Sequence, residues 1–283
     1  MNMTITTELS AKVILIAGAG RPIGHAIADC FGARGASLIL PVFGDWAESN
    51  EEMKQQFDKS GYDFLALSCD LTSSEETKLL LEAVSEHFGR LDYLINNIDR
   101  GGMPIVHGSY DLEVNKDQWQ LEFDTTLKAK WHLYQHSKNL LKKSEGGCVI
   151  NISSIAAHVG RSGPASLLFN DGYSAANRGV TALTKQWARE MAPSVRVNEL
   201  MIGLCAGRHG QETKGWALMN DKQQQELIEH TLLKRTGTPE EVAEFVYFLA
   251  VRAGYMTGNT VLFDGGYLIG GDKIGDMPPG ILK

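Results

Sequence analysis

The feature that most constrains the fold is an alternation of short apolar runs with longer amphipathic ones along the whole chain. Val13–Ala17, Leu38–Val42, Phe64–Ser68, Leu91–Asn96, Cys148–Ile152, Val195–Leu200 and Thr260–Asp264 are short and apolar, and most contain β-branched residues. Such runs are expected for strands buried on both faces. Between them, Ile23–Arg34, Glu75–Phe88, Lys116–Lys142, Tyr173–Met191 and Pro239–Val251 carry helical periodicity. Strands alternating with helices predict right-handed crossovers and a parallel sheet covered on both sides. The expected architecture is α/β, a doubly wound, Rossmann-like parallel sheet of about seven strands in a single domain. That domain is expected over residues 1–269, with a loop segment near 203–230 and a Gly- and Pro-rich C-terminal extension at 270–283. Gly101–Asp111 and Gly160–Gly172 read as loops.

Charge narrows the classes of partner. The 283 residues carry 34 acidic and 27 basic side chains, a net charge of -7, which is no general positive field for nucleic acid. The four cysteines, Cys30, Cys69, Cys148 and Cys205, form no CxxC pair and no Cys/His cluster at ligand spacing, so no metal site is expected. No apolar run approaches the length of a membrane span. Met1–Lys12 lacks the basic stretch and apolar run of a signal peptide, and the cytoplasm is the expected compartment.

The first strand leads into Gly18-Ala19-Gly20-Arg21-Pro22-Ile23-Gly24, and Ala26-Ile27-Ala28 opens the next helix. A strand, a glycine turn and a helix in that order present free N–H groups and a partial positive charge to a pyrophosphate. Gly18, Arg21, Pro22, Ile23 and Gly24 are therefore candidate nucleotide contacts. Pro22 fixes φ and has no N–H, so it either starts the helix or denies the phosphate one donor. Asp70, after the third strand, is a plausible helix N-cap before Glu75.

Further motifs follow in order. They are Asn96-Asn97-Ile98-Asp99, Asn151-Ile152-Ser153-Ser154, Tyr173-Ser174-Ala175-Ala176-Asn177, Arg196-Val197-Asn198, Thr238-Pro239-Glu240-Glu241 and Asp264-Gly265-Gly266. With the glycine turn, they resemble the short-chain dehydrogenase/reductase family from Val13 to Tyr267. The resemblance implies hydride transfer between a nicotinamide and a carbonyl or alcohol carbon. It makes Tyr173 the acid or base and Ser154 the partner of the substrate oxygen. It assigns Asp70 and Leu71 to the adenine, and Asn96 and Asn97 to the floor of the cofactor site.

Several positions depart from the family pattern. Ala17 and Pro22 stand for the fingerprint's threonine and middle glycine, and Ile98 and Asp99 for an alanine and a glycine. Asn177 occupies the place of the lysine in Tyr-x-x-x-Lys, and Thr126 the place of the relay asparagine. A free tyrosine titrates near pH ~10, so one acting as a base near neutrality needs a cationic neighbour. Asn177 carries no charge, and Arg178 lies about 100° round an ideal helix from it. His107, His158 and Asp171 are loop residues within possible reach of the pocket. Val42, at the position of the usual ribose-binding acid, is apolar, while Arg21 suits a 2′-phosphate. NADP is therefore placed ahead of NAD, with Asp45 as the other candidate for the ribose.

Three functions stay open on these residues. The first is an NAD(P)-dependent oxidoreductase with a modified proton relay, acting on a small or medium organic carbonyl or alcohol. The second is a catalytically impaired family member serving as a structural or regulatory subunit. The third is a nucleotide-sensing binding protein. The family implies a homo-dimer or homo-tetramer, and the second reading a hetero-oligomer with an active relative. Neither nucleic acid nor membrane is an expected partner.

Overall fold

Successive residues of a strand point to opposite faces. In β1 (Val13–Ala17), Ile14 and Ile16 pack into one apolar core, and Val13, Leu15 and Ala17 pack into another. A strand with no polar face needs cover on both sides. The computed structural model describes residues 7–44, 47–99, 113–207, 210 and 214–272, and it supplies that cover. β2 (Ser37–Val42), β3 (Phe64–Ser68), β4 (Tyr93–Asn96), β5 (Gly147–Ser154), β6 (Val195–Ile202) and β7 (Thr260–Phe263) join β1 in one seven-stranded parallel sheet. The order is β3-β2-β1-β4-β5-β6-β7. The strand order reverses between β1 and β4, which is where a crevice opens at the strands' C-terminal ends.

The helices divide between the two faces. α1 (Pro22–Gly32), α2 (Ala47–Ser60) and α10 (Pro239–Tyr247) contribute Ile27, Met53, Phe57 and Val246 to the first core. α3 (Ser74–Phe88), α5 (Ala129–Leu141) and α7 (Asp171–Met191) contribute Leu81, Leu133 and Trp187 to the second. Asp92 ties the base of the sheet together. Its carboxylate accepts from Val13 N at 2.9 Å, Lys12 Nζ at 2.9 Å and Ser144 Oγ at 2.6 Å.

All seven expected strands form, with shifted ends. β4 starts at Tyr93, and β5 and β6 run on to Ser154 and Ile202. The helices differ more. α2 was not expected, because only Asn50, Met53 and Phe57 face inward on an otherwise polar helix. The helix expected over Lys116–Lys142 is divided into α4 (Gln118–Glu122), a π-helical turn Phe123–Lys128, and α5. The Thr125 hydroxyl takes the Leu121 carbonyl at 2.7 Å and competes with the α-helical ladder there.

α7 begins at Asp171, because the Asn170 side chain caps it by accepting from Tyr173 N at 2.6 Å. Asp70 is not a helix cap: Ser73 caps α3, and Asp70 instead accepts from Thr72 N and Thr72 Oγ1. The loop expected at Gly160–Gly172 contains a short 3-10 turn, Pro164–Leu167, and follows α6 (Ala156–Val159). α8 (Lys214–Ala217) and α9 (Asp221–His230) occupy the expected loop segment. The loop expected at Gly101–Asp111 and residues 273–283 lie outside the described residues.

Candidate active site

The chain turns sharply after β1. Gly18 has φ +75°, and a Cβ on Gly24 would lie 2.0 Å from the Gly18 carbonyl oxygen. Glycine is required there by close approach, as a backbone cradle for a phosphate demands. Pro22 takes the first position of α1, after Arg21 in extended conformation, so its missing N–H costs the helix nothing. A Cβ on Gly207 would lie 2.5 Å from Pro22 Cβ, so the chain after β6 closes directly onto the start of α1.

A cleft opens beside this turn. Gly18, Arg21, Asp70, Leu71, Asn97 and Asp99 contribute to its walls. The buried Ile23 packs into the core beneath. Asp70 Oδ1 is held by Thr72 N at 2.9 Å and Thr72 Oγ1 at 2.7 Å. Burial pushes the neighbouring Cys69 thiol up to about 12, with Glu76 and Asp70 adding to the shift. Arg21 Nη1 donates to the Asp99 carbonyl at 3.2 Å. Asn50 also reaches the cleft, though nothing about it was anticipated. Its Nδ2 donates to the Phe43 carbonyl at 2.9 Å, and a Cβ on Gly20 would strike its Oδ1. Asp45 and His107 lie outside the described residues.

The candidate catalytic residues gather at the same end of the sheet. Ser154 closes β5 in register with Ile202, and its Oγ accepts from Ala156 N at 3.1 Å. Tyr173 lies in the first turn of α7, 3 % exposed, in an apolar cluster with Ile155, Phe169, Trp216 and Met219. Its hydroxyl donates to Asp99 Oδ2 at 3.0 Å. Asn177, one turn later, is fully buried, and its Nδ2 donates to the Tyr173 carbonyl at 2.9 Å. Thr126 is buried on the π turn. That turn packs closely on α7, since a Cβ on Gly179 would lie 2.9 Å from Leu127 Cδ2. One turn after Thr126, the fully buried Lys130 donates from Nζ to the Ile98 carbonyl.

Four buried polar atoms here have no hydrogen-bond partner among the described residues: Asn96 Oδ1, Asn97 Oδ1, Thr126 Oγ1 and Asn177 Oδ1. Buried polar atoms are nearly always satisfied, so four of them at the motif positions mark where a polar ligand or ordered water fits. Asn96 is otherwise engaged, its Nδ2 donating to Asn151 Oδ1 at 2.8 Å. His158, Asp171 and Arg178 are exposed. Among the described residues, no group of three or more His, Cys, Asp or Glu could hold a metal ion, and no helix is long and apolar enough to cross a membrane.

Residues 18–268 match the family model described as enoyl-(acyl carrier protein) reductase. The chain belongs to the short-chain dehydrogenase/reductase family. Among its relatives, the Vibrio cholerae 3-oxoacyl-[acyl-carrier-protein] reductase FabG is 31% identical over 93% of this chain and 100% of its own length. A tropinone reductase homolog of Arabidopsis thaliana is 31% identical over 93% of this chain and 94% of its own. A solved structure described as a putative short-chain alcohol dehydrogenase from Sinorhizobium meliloti has a TM-score of 0.77 at 26% identity, covering 93% of this chain and 98% of that one. Membership of the short-chain dehydrogenase/reductase family gives the chain the scaffold of oxidoreductases that use a nicotinamide dinucleotide. The residues present fit that group: a glycine cradle at Gly18–Gly24, a cleft along Asp70 and Leu71, and orphaned polar atoms at the far end.

Two residues of the site escaped sequence reasoning. Lys130 carried a signal, a lone lysine on the inward stripe formed with Thr126, Leu133, Tyr134 and Ser137. Asn50 carried none, because α2 has too few apolar residues to show a period.

Proposed function

We propose that this protein is an NAD(P)-dependent oxidoreductase acting on the alcohol or carbonyl of a small or medium organic molecule, with a modified proton relay. The observation that carries this reading is the Tyr173 hydroxyl, brought near Asn96, Asn97, Thr126 and Asn177, each with a buried polar atom that lacks a partner among the described residues. When bound, the nicotinamide supplies the hydride donor or acceptor. Gly18, Ile23, Gly24 and the start of α1 at Pro22 would hold the pyrophosphate, Asp70 and Leu71 the adenine, and Asn96, Asn97 and Asn177 the nicotinamide half. Ser154 would bond the substrate oxygen, Tyr173 would exchange its proton, and Thr126 would seat a relay water.

NADP is preferred in this reading, because Arg21 lines the cleft and Val42, at the usual place of the ribose-binding acid, is apolar. Asn50, which lines the cleft and donates from Nδ2 to the Phe43 carbonyl just past β2, would take a ribose hydroxyl. Phe169, Trp216 and Met219 make the substrate wall apolar. The names of the relatives put 3-oxoacyl compounds first in a substrate panel. A homo-dimer or homo-tetramer is expected, supported by the exposed apolar side chains Phe248 and Leu262. The cytoplasm stays the proposed setting.

Titration with NADH and NADPH tests this reading, and failure to bind either one overturns it. With binding in hand, turnover on an alcohol and carbonyl panel should vanish in Tyr173→Phe. Arg21→Ala should lower the ratio of NADPH to NADH affinity, and an unchanged ratio removes the NADP preference. A second reading, a catalytically impaired structural or regulatory subunit, is favoured by the neutral Asn177 turned back onto its own helix. Tight nucleotide binding without turnover on any panel member would select that reading or a nucleotide sensor.

A further inference from the structure

Tyr173 Oη carries one proton, and a carboxylate only accepts hydrogen bonds. The Tyr173 proton is therefore directed at Asp99 Oδ2, 3.0 Å away. Its oxygen then offers only lone pairs to anything entering the site. A substrate meeting it must bring its own proton, as an alcohol does and a carbonyl does not. A neighbouring carboxylate also opposes formation of a phenolate. The neutral Asn177, whose amide is spent on the Tyr173 carbonyl, supplies no charge to offset that. The geometry places Tyr173 to pass its proton on to Asp99.

We propose that Asp99 is the proton acceptor behind Tyr173, so that the Tyr173–Asp99 pair forms the relay of this enzyme and sets it for alcohol oxidation while Asp99 is ionised. This rests on the oxidoreductase reading. The substrate O–H bond breaks and its proton goes to Tyr173 Oη, while the tyrosine proton passes to Asp99 Oδ2. The substrate C–H bond breaks with its electron pair, and that hydride would go to the oxidised nicotinamide supplied by the bound cofactor. Asp99 then returns its proton to water through the cleft it lines. In the reverse direction, protonated Asp99 supplies Tyr173 and Tyr173 supplies the carbonyl oxygen.

The surroundings fix Asp99 for this work. Arg21 Nη1 holds its carbonyl at 3.2 Å, and Lys130 Nζ holds the carbonyl of Ile98 just before it. Tyr173 faces its carboxylate from α7. These three groups, one from each of three elements, are among the charged or titratable neighbours that bear on Asp99. Lys130 is a positioning residue: it pins the chain that carries Asp99 and brings positive charge to that end of the pocket.

The test uses full-length wild type, Asp99→Asn, Asp99→Glu and Tyr173→Phe. Ultraviolet difference titration follows phenolate formation, and the step missing from Tyr173→Phe belongs to Tyr173. Removing the Asp99 charge should bring that step down by about one pH unit or more, with Asp99→Glu holding it near wild type. An unmoved step in Asp99→Asn overturns the proposal without reference to turnover. In NAD(P)-linked oxidation of a secondary-alcohol panel, wild-type kcat should fall on the acid side. Asp99→Asn should lose that limb and at least tenfold in kcat with little change in nucleotide affinity, while Asp99→Glu keeps the limb. An acid limb retained in Asp99→Asn, or an equal loss of nucleotide affinity, also overturns it. A shifted phenolate step in a protein that binds neither NADH nor NADPH identifies the oxidoreductase reading as the part that failed, and the relay falls with it.

Discussion

Asn177 turns its side-chain amide back onto the carbonyl of Tyr173, 2.9 Å away and one helical turn earlier. Its Oδ1 is buried with no partner among the described residues. A half-satisfied buried amide contributes little to stability, and its orphaned oxygen costs about 1–3 kcal/mol. Asn177→Leu should therefore leave the melting temperature of the ligand-free protein unchanged or higher. NADH affinity should fall about tenfold, near 1.4 kcal/mol. Calorimetry and fluorescence titration together check this, and a large drop in melting temperature would mark the amide as structural.

The glycine turn gives a sharper expectation. A methyl group on Gly24 meets backbone, the Gly18 carbonyl, which cannot step aside as a side chain does. Gly24→Ala should cost about 1–3 kcal/mol in chemical denaturation. Binding of both NADH and NADPH should be lost, since the cradle must open to admit the methyl. Retained binding would show that the phosphate is not held at this turn.

Pro22 and Gly207 form a coupled pair. Gly207 has φ +73°, and its missing Cβ would overlap Pro22 Cβ. Gly207→Ala alone should destabilise through both strain and collision. In a Pro22→Gly background the collision term disappears and only the strain remains. A double-mutant cycle should give a coupling energy of about 1 kcal/mol or more, and additive losses would mean that the two segments do not touch in solution.

Asp92 carries the pH dependence that the fold predicts most directly. Burial opposes its ionisation, but the Ser144 hydroxyl, the Val13 N–H and the Lys12 ammonium outweigh that and hold the carboxyl below its ordinary value. A lowered folded pKa stabilises the native state at neutral pH. The contribution is complete above the unfolded value of about 4 and is lost as pH falls through the lower folded one. Asp92→Asn should cost about 2 kcal/mol at neutral pH, the scale of hydrogen bonds to a charged group. The gap to wild type should stay constant down to about pH 4 and close below it. Urea denaturation across that range measures both.

The sheet was legible because its strands are apolar on both faces, so each one stood out against its surroundings. The glycine turn was legible because strand, turn and helix lie within a dozen residues of one another. The break at Phe123–Lys128 was not, since it depends on one hydroxyl choosing a carbonyl four residues back. The departure at Asp99 was visible in the sequence, but its bond to Tyr173 spans 74 residues, and no local pattern encodes such a meeting. Lys130 sat on the inward stripe with Thr126 and Leu133, but its partner, the Ile98 carbonyl, lies 32 residues away and no local pattern encodes it.

The crevice between β1 and β4 has a consequence in time. Gly18 and Asn97, which line it just past the two strands, are 79 residues apart. At about 5–20 residues per second, a ribosome delivers the second wall roughly 4–16 s after the first. The helix carrying Tyr173 emerges later still. The glycine turn is thus exposed early with nothing opposite it. A nucleotide held at this turn would engage only a chain that is already largely assembled, and so would lock the finished protein rather than guide the newborn strands into place.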